Sequence, residues 1–104
     1  MMFANPVFVT PHAIKKFQER IAHLPTKPII ALIQAAVQDC RQMVGVQIYN
    51  KQRSPVFRAK YRDKEYLIPV ARRRDREWPY IPTILLPGMR TYILYEKSGW
   101  NWKS

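Results

Sequence analysis

A change of hydrophobic period near Met43 constrains this chain more than any other feature of it. Before that point apolar residues recur at helical spacing, and after it they alternate with other residues. A helix gathers side chains on one face at a period of ~3.6, whereas a strand does so at a period of two. The chain is therefore expected to be helical first and stranded afterwards, an α+β order in which the helices cover one side of a sheet.

Thr10-Pro11 opens the first helix: a threonine hydroxyl can cap orphan backbone N–H groups, and proline suits the first helical position. Pro25 marks its expected end. Helical spacing places Ala13, Ile14, Phe17, Ile21 and Leu24 on one face and His12, Lys16, Glu19 and His23 on the other, with Arg20 at the flank. Thr26 is the expected cap of a second helix, whose stripe is Ile29, Leu32, Ile33, Ala36, Val37 and Cys40.

The segment Val7-Phe8-Val9 reads as an edge strand or a packed lead-in. Val44, Val46 and Ile48 alternate as in a half-buried strand, and residues 50–55 read as a polar turn. The next strand, 56–62, turns Phe57, Ala59 and Tyr61 one way and Arg58, Lys60 and Arg62 the other. Asp63-Lys64 closes a hairpin into a strand over 65–71, where Pro69 argues for an edge or a bulge. A basic loop over 72–80 leads to strands over 81–86 and 89–95 and to a tail, 96–104, holding Trp100 and Trp102. The expected architecture is two N-terminal helices packed on a twisted four-stranded antiparallel sheet. Its core is expected to hold Ile14, Phe17, Ile21, Ile29, Leu32, Ile33, Val37, Ile84 and Leu86. A chain of 104 residues is one domain by length, 1–104, with its core over about 8–95.

Charge narrows the partners. Eighteen Lys and Arg against seven Asp and Glu give a formal net charge of +11, which draws the chain to polyanions. Ten of the basic and three of the acidic side chains fall within residues 51–76. RNA is the first expected partner and DNA the second. The single Cys40 excludes an internal disulfide or a multi-cysteine metal site, no cofactor or metal is implied, and no apolar run approaches the length of a membrane span. The expectation is a soluble, cytoplasmic protein with no membrane partner.

The cations of the strand, Arg58, Lys60 and Arg62, repel one another on one face unless an anion uses them. Arg72, Arg73, Arg74 and Arg76, with Trp78 and Tyr80, can combine phosphate contacts with base stacking, or simply form a solvated loop. On the first helix His12 can move a proton while Lys16 holds a phosphate. The plainer alternative is an ordinary solvated face, with Glu19 pairing to Lys15 or Lys16.

The run Thr10-x-His12-Ala13-x-x-Lys16-Phe17-x-x-Arg20, a second helix, and Pro82-Thr83-Ile84-Leu85-Leu86-Pro87 resemble a small family of unknown function from prophages and mobile elements. That family opens with His-Ala-x-x-Arg-x-x-x-Arg and is similar in fold to colicin D and the RelE-type toxins, the barnase-like group of metal-independent RNases. The resemblance spans residues 8–95, with the helix-one motif its specific part. Lys16 stands where the family has its first Arg, which keeps a charge but loses the planar fork that grips phosphate in two places. The resemblance implies a RelE-like fold and a toxin-like ribonuclease, with His12, Lys16 and Arg20 as the catalytic set and Arg58, Lys60, Arg62 and the 72–76 arginines on the RNA. Two other readings stay open: a non-catalytic nucleic-acid-binding module of a prophage, and a protein that grips an acidic partner such as an antitoxin.

Overall fold

The computed structural model describes residues 7–39, 43–49, 52–72 and 79–88. Along the chain these form β1 (Phe8–Val9), α1 (Pro11–Arg20), α2 (Thr26–Val37), β2 (Met43–Tyr49), β3 (Gln52–Tyr61), β4 (Lys64–Pro69) and β5 (Tyr80–Ile81). The α+β order and the helix pair are as the periods require. The expected strand at 89–95, the arginines at 73, 74 and 76, Trp78, and the two tail tryptophans lie outside the described residues.

Thr10 caps α1: its Oγ1 accepts a hydrogen bond from the Ala13 amide at 3.1 Å. The same hydroxyl donates to the Ile81 carbonyl at 2.8 Å, and the Thr10 amide donates to that carbonyl at 3.3 Å. One side chain thus starts the helix and ties it to β5. α1 ends at Arg20, before Pro25, because the chain turns out of the helix at Ile21 and the Gln18 side chain donates to the Leu24 carbonyl at 2.9 Å. His23 and Leu24 lie beyond the helix. α2 also departs from expectation: Thr26 is its first helical residue, and Pro25 holds the cap position with no side-chain bond.

Both helical stripes bury as spacing demands. Ala13, Phe17, Ile21, Ile29, Ile33 and Val37 form one cluster with Phe57, Tyr66, Ile68, Ile81 and Ile84. Ile14, Leu32 and Leu86, expected in the core, are only partly buried at its margin. Phe17 is the centre of the packing. Its ring meets Tyr66 edge-on at 5.3 Å and Tyr61 at 6.3 Å, and such aromatic pairs add about 0.5–1.5 kcal/mol beyond burial.

The sheet is not one four-stranded antiparallel sheet. β2, β3 and β4 form a three-stranded antiparallel sheet, and β1 pairs in parallel with β5 in a separate two-stranded one. The two meet through isolated bridges, Ala71 to Tyr80 and Leu67 to Leu85. From Tyr80 to Leu85 the chain advances five residues while the facing chain moves four, from Ala71 to Leu67, so one residue bulges between the bridges. Pro69 stands on one side of that gap and Pro82 on the other. Neither has an N–H for a ladder, and the expected strand over 81–86 is broken there.

The ladder also moves two expected boundaries. β3 begins at Gln52 and pairs Tyr49 with Gln52, so residues 52–55 are strand, not turn. It ends at Tyr61, and Arg62 sits in the two-residue turn with Asp63 at a φ of +56°. The left-handed region at Arg62 is costly for a residue with a Cβ.

Two consequences can be measured. Thr10→Val keeps the shape and removes both hydroxyl bonds, so it should lower stability by about 1–3 kcal/mol, whereas Thr10→Ser should recover most of it. Equal chemical denaturation midpoints for Val and Ser would show that the hydroxyl adds nothing. Burial pushes the Tyr66 phenol from 10.0 up to about 12. Between those values the unfolded chain has released the proton that the folded chain keeps, so stability falls as pH rises through the window. The loss is about 2–3 kcal/mol by linkage, and Tyr66→Phe should remove that part of the alkaline slope.

Candidate nucleic-acid interface

The pairs Arg58 to Leu67 and Lys60 to Glu65 put these four residues on one face of the three-stranded sheet. Phe57, Ala59, Tyr66 and Ile68 occupy the other, which the helices cover. Strand alternation therefore positions the cations, as the sequence indicates for Arg58 and Lys60. A second small cluster, Val56 and Leu67 with Val44 and Leu85, stands beside them on the cationic face.

Within this face the cations differ. The Arg58 Nε donates to Glu65 Oε1 at 2.8 Å, with the two side chains 44% and 32% exposed. That pair takes the carboxylate directly opposite Lys60, which is exposed and makes no ion pair among the described residues. Arg62 is not the third member of the stripe. From the turn its guanidinium lies over the Tyr61 ring, 5.6 Å from the centroid. Exposed Lys64 follows the turn, so the hairpin carries four cations and two carboxylates between residues 58 and 65. Arg72 is exposed just past the β4 end, three residues after Pro69.

The helix-one set is placed elsewhere. α1 turns Ala13 and Phe17 towards the covered face, and His12 is exposed on the outside of the helix. Lys16 Nζ donates to Glu19 Oε2 at 3.2 Å, and this contact holds the Glu19 carboxyl below its usual range. Arg20 Nη1 donates to the Ile84 carbonyl at 2.5 Å, bracing the irregular chain after β5. The structure thus brings Arg58, Lys60, Arg62 and Lys64 together at one hairpin. It does not bring His12 to Arg58 and Lys60, because α1 lies over the opposite face of the sheet. Among the described residues no three His, Cys, Asp or Glu side chains gather as a metal site would require, and no helix is long and apolar enough to cross a membrane.

Sequence reasoning missed a groove between α2 and β3. It has a volume of about 480 Å³ and is walled by Leu32, Ala35, Ala36 and Asp39 on the α2 side and by Arg58, Ala59 and Lys60 on β3. Tyr66 also lines it, although the residue is only 1% exposed. The β2 ladder stops at Met43 opposite Phe57, so the groove flanks the last residues of β3 beyond that point. The adjacent small residues Ala35 and Ala36 were the available signal, since small side chains on a helix leave space against a sheet.

No known protein family, no curated protein and no solved structure matches this chain.

Proposed function

We propose that this chain binds nucleic acid through the cationic hairpin of β3 and β4 and the basic segment that follows it. The observation that carries the reading is the hairpin itself: four cations crowded into eight residues, one of them, Lys60, with no ion pair among the described residues. Crowded like charges raise the energy of the free protein, and a polyanion relieves it while releasing its own counterions. The net charge of +11 supports a polyanion over a small neutral ligand. A RelE-like arrangement belongs to the same proposal, supported by the helix pair lying on one face of an antiparallel sheet. So does a cytoplasmic setting, where RNA and DNA are at hand.

Ribonuclease activity is the second reading, favoured by the exposed imidazole of His12 one turn from Lys16 and by the resemblance of that helix. Metal-independent cleavage needs a base for the 2′-hydroxyl, an acid for the leaving oxygen and a cation at the phosphorane. Here Lys16 is paired with Glu19, and Arg20 is bonded to the Ile84 carbonyl. Arg20 is therefore engaged in holding the fold, Lys16 is held only by a weak exposed pair, and α1 lies on the other side of the sheet from the hairpin cations, so binding without turnover is the better-supported outcome. An acidic protein partner would use the same hairpin and is an outcome of the binding test.

Affinity for RNA and DNA, measured by fluorescence anisotropy across salt, should fall steeply. Neutralising ~5 phosphates of a duplex gives a log–log slope of about −4 to −5. Lys60→Ala and Arg62→Ala should each reduce the slope by about one. No binding at low salt, or a flat dependence, would remove nucleic acid and leave the acidic protein.

Cleavage is tested separately, with bulk RNA in chelator and wild type against His12→Ala at matched concentration. The expected result is intact RNA with both proteins. A loss of about 10²–10⁴ in turnover in His12→Ala would instead establish the ribonuclease reading.

A further inference from the structure

Resting on the nucleic-acid reading above, we infer that Phe8 and Tyr80 form an aromatic platform on which an unpaired nucleobase stacks, so that a single strand lies across the helix-free side of the two sheets. The platform stands apart from the hairpin and uses side chains that neither the core nor the hairpin engages.

Register places the two rings side by side. β1 and β5 pair in parallel, with Phe8 beside Tyr80 and Val9 beside Ile81. Val9 and Ile81 are buried in the core that the helices cover, so alternation turns Phe8 and Tyr80 to the opposite side. The same alternation, with Phe57 and Ile68 in that core, turns Arg58 and Lys60 away from the helices. β5 meets the chain of β4 through the bridge from Ala71 to Tyr80, so the rings and the hairpin cations share one surface.

A lone exposed apolar side chain is ordinary on a protein. What marks Phe8 is its company. It is 47% exposed, the one large hydrophobic so exposed among the described residues, and its neighbour in register is the partly exposed Tyr80. Arg72 directly follows Ala71, the residue bridged to Tyr80; it is exposed and makes no ion pair among the described residues. An apolar peptide would leave that guanidinium unused. A nucleotide brings a flat π-face for the rings and a phosphate for the cation, and stacking of this kind tolerates any sequence because every base has such a face.

Spacing joins the platform to the hairpin. From Glu65, opposite Lys60, to Ala71, opposite Tyr80, the chain advances six residues, about 20 Å at ~3.3 Å per residue. That separation suits a short single strand, and single-strand sites commonly span ~4–16 nucleotides. Its phosphates can then meet Lys60 while one of its bases rests on the rings. A duplex keeps its base faces stacked inside, so it meets the cations alone.

The test compares labelled ten-nucleotide DNA probes at one moderate salt concentration: an unstructured single strand, the same strand with abasic sites throughout, and the duplex. Wild type should bind the intact strand about five- to thirtyfold more tightly than the abasic one, the effect of stacking one base. Phe8→Ala should remove most of that ratio and leave abasic and duplex binding unchanged. Phe8→Tyr should keep the ratio, whereas Phe8→Leu, apolar but without a ring, should not. The position is exposed and pairs through its backbone, so these variants should fold, and thermal melts check that they do. Equal wild-type affinity for intact and abasic strands, a comparison that needs no variant, would overturn the platform while leaving nucleic-acid binding intact. So would an undiminished ratio in folded Phe8→Ala, a full ratio in Phe8→Leu, or an equal loss on all three probes. Failure of every probe to bind even at low salt would instead bring down the underlying nucleic-acid reading, and this inference with it.

Discussion

The Thr10 hydroxyl is the point on which the arrangement of layers depends. It accepts from the Ala13 amide and donates to the Ile81 carbonyl, joining positions 71 residues apart through one atom. Without the first bond the start of α1 loses its cap. Without the second, nothing in that side chain fixes the angle between the helix and β5. The parallel pairing of Phe8 with Tyr80 and of Val9 with Ile81 leads straight into it, so β1 delivers the chain to Thr10 already aligned. α1 then leaves at the angle that sets Phe17 between Tyr61 and Tyr66, and the core follows from that contact. Arg20 closes the same unit from the far end of the helix by bonding the Ile84 carbonyl. Two polar contacts, at the first and last turns of α1, therefore hold the irregular chain between Ile81 and Ile84 against the helix.

That bracing explains how the sheet tolerates its division. Segment 80–85 meets the outer edge of β4 at only two positions, with prolines at 69 and 82 and a bulge between them. A partly paired edge is less apt to recruit another strand than a long regular one, and proline is among the means by which natural sheets blunt their edges. The missing ladder bonds are offset by apolar burial, since Ile81 and Ile84 are fully buried and Leu85 packs on Val56 and Leu67. Side chains here hold what backbone pairing does not.

How much of this the sequence makes legible follows from which physical effects are periodic. Helical spacing assigns Ala13, Phe17, Ile29, Ile33 and Val37 to the core, and alternation assigns Phe57 to the covered face and Arg58 to the other, because each rule concerns side-chain direction alone. The division of the sheet is less accessible: Pro69 hints at an edge, but the bulge opposite it depends on two distant segments coming into register. The ends of strands suffer similarly. Arg62 continues the alternation of β3 in the sequence, yet the turn needs it at positive φ, and the stripe loses its third member. The groove is harder still. Ala36 and Ala59 read only as members of apolar faces, and the space they leave shows once α2 is placed on β3. His12, Lys16 and Arg20 are correctly placed on α1 by spacing, but the bonds from Lys16 to Glu19 and from Arg20 to Ile84 determine what those cations are free to do.

Charge on the hairpin depends on competition as much as on composition. Arg58 and Lys60 face the same carboxylate, and Arg58 takes it diagonally although Lys60 stands opposite in the ladder. The choice fits their chemistry, since the guanidinium is less strongly hydrated than the ammonium and gives up water more readily for a directed bond. The pair is substantially exposed, and such pairs contribute only about 0–1 kcal/mol. Lys60, which makes no ion pair among the described residues, is therefore the more open of the two cations to an approaching anion. One carboxylate thus takes up the charge of Arg58 and stands opposite Lys60 in the ladder, which lessens the repulsion between two cations on one strand face.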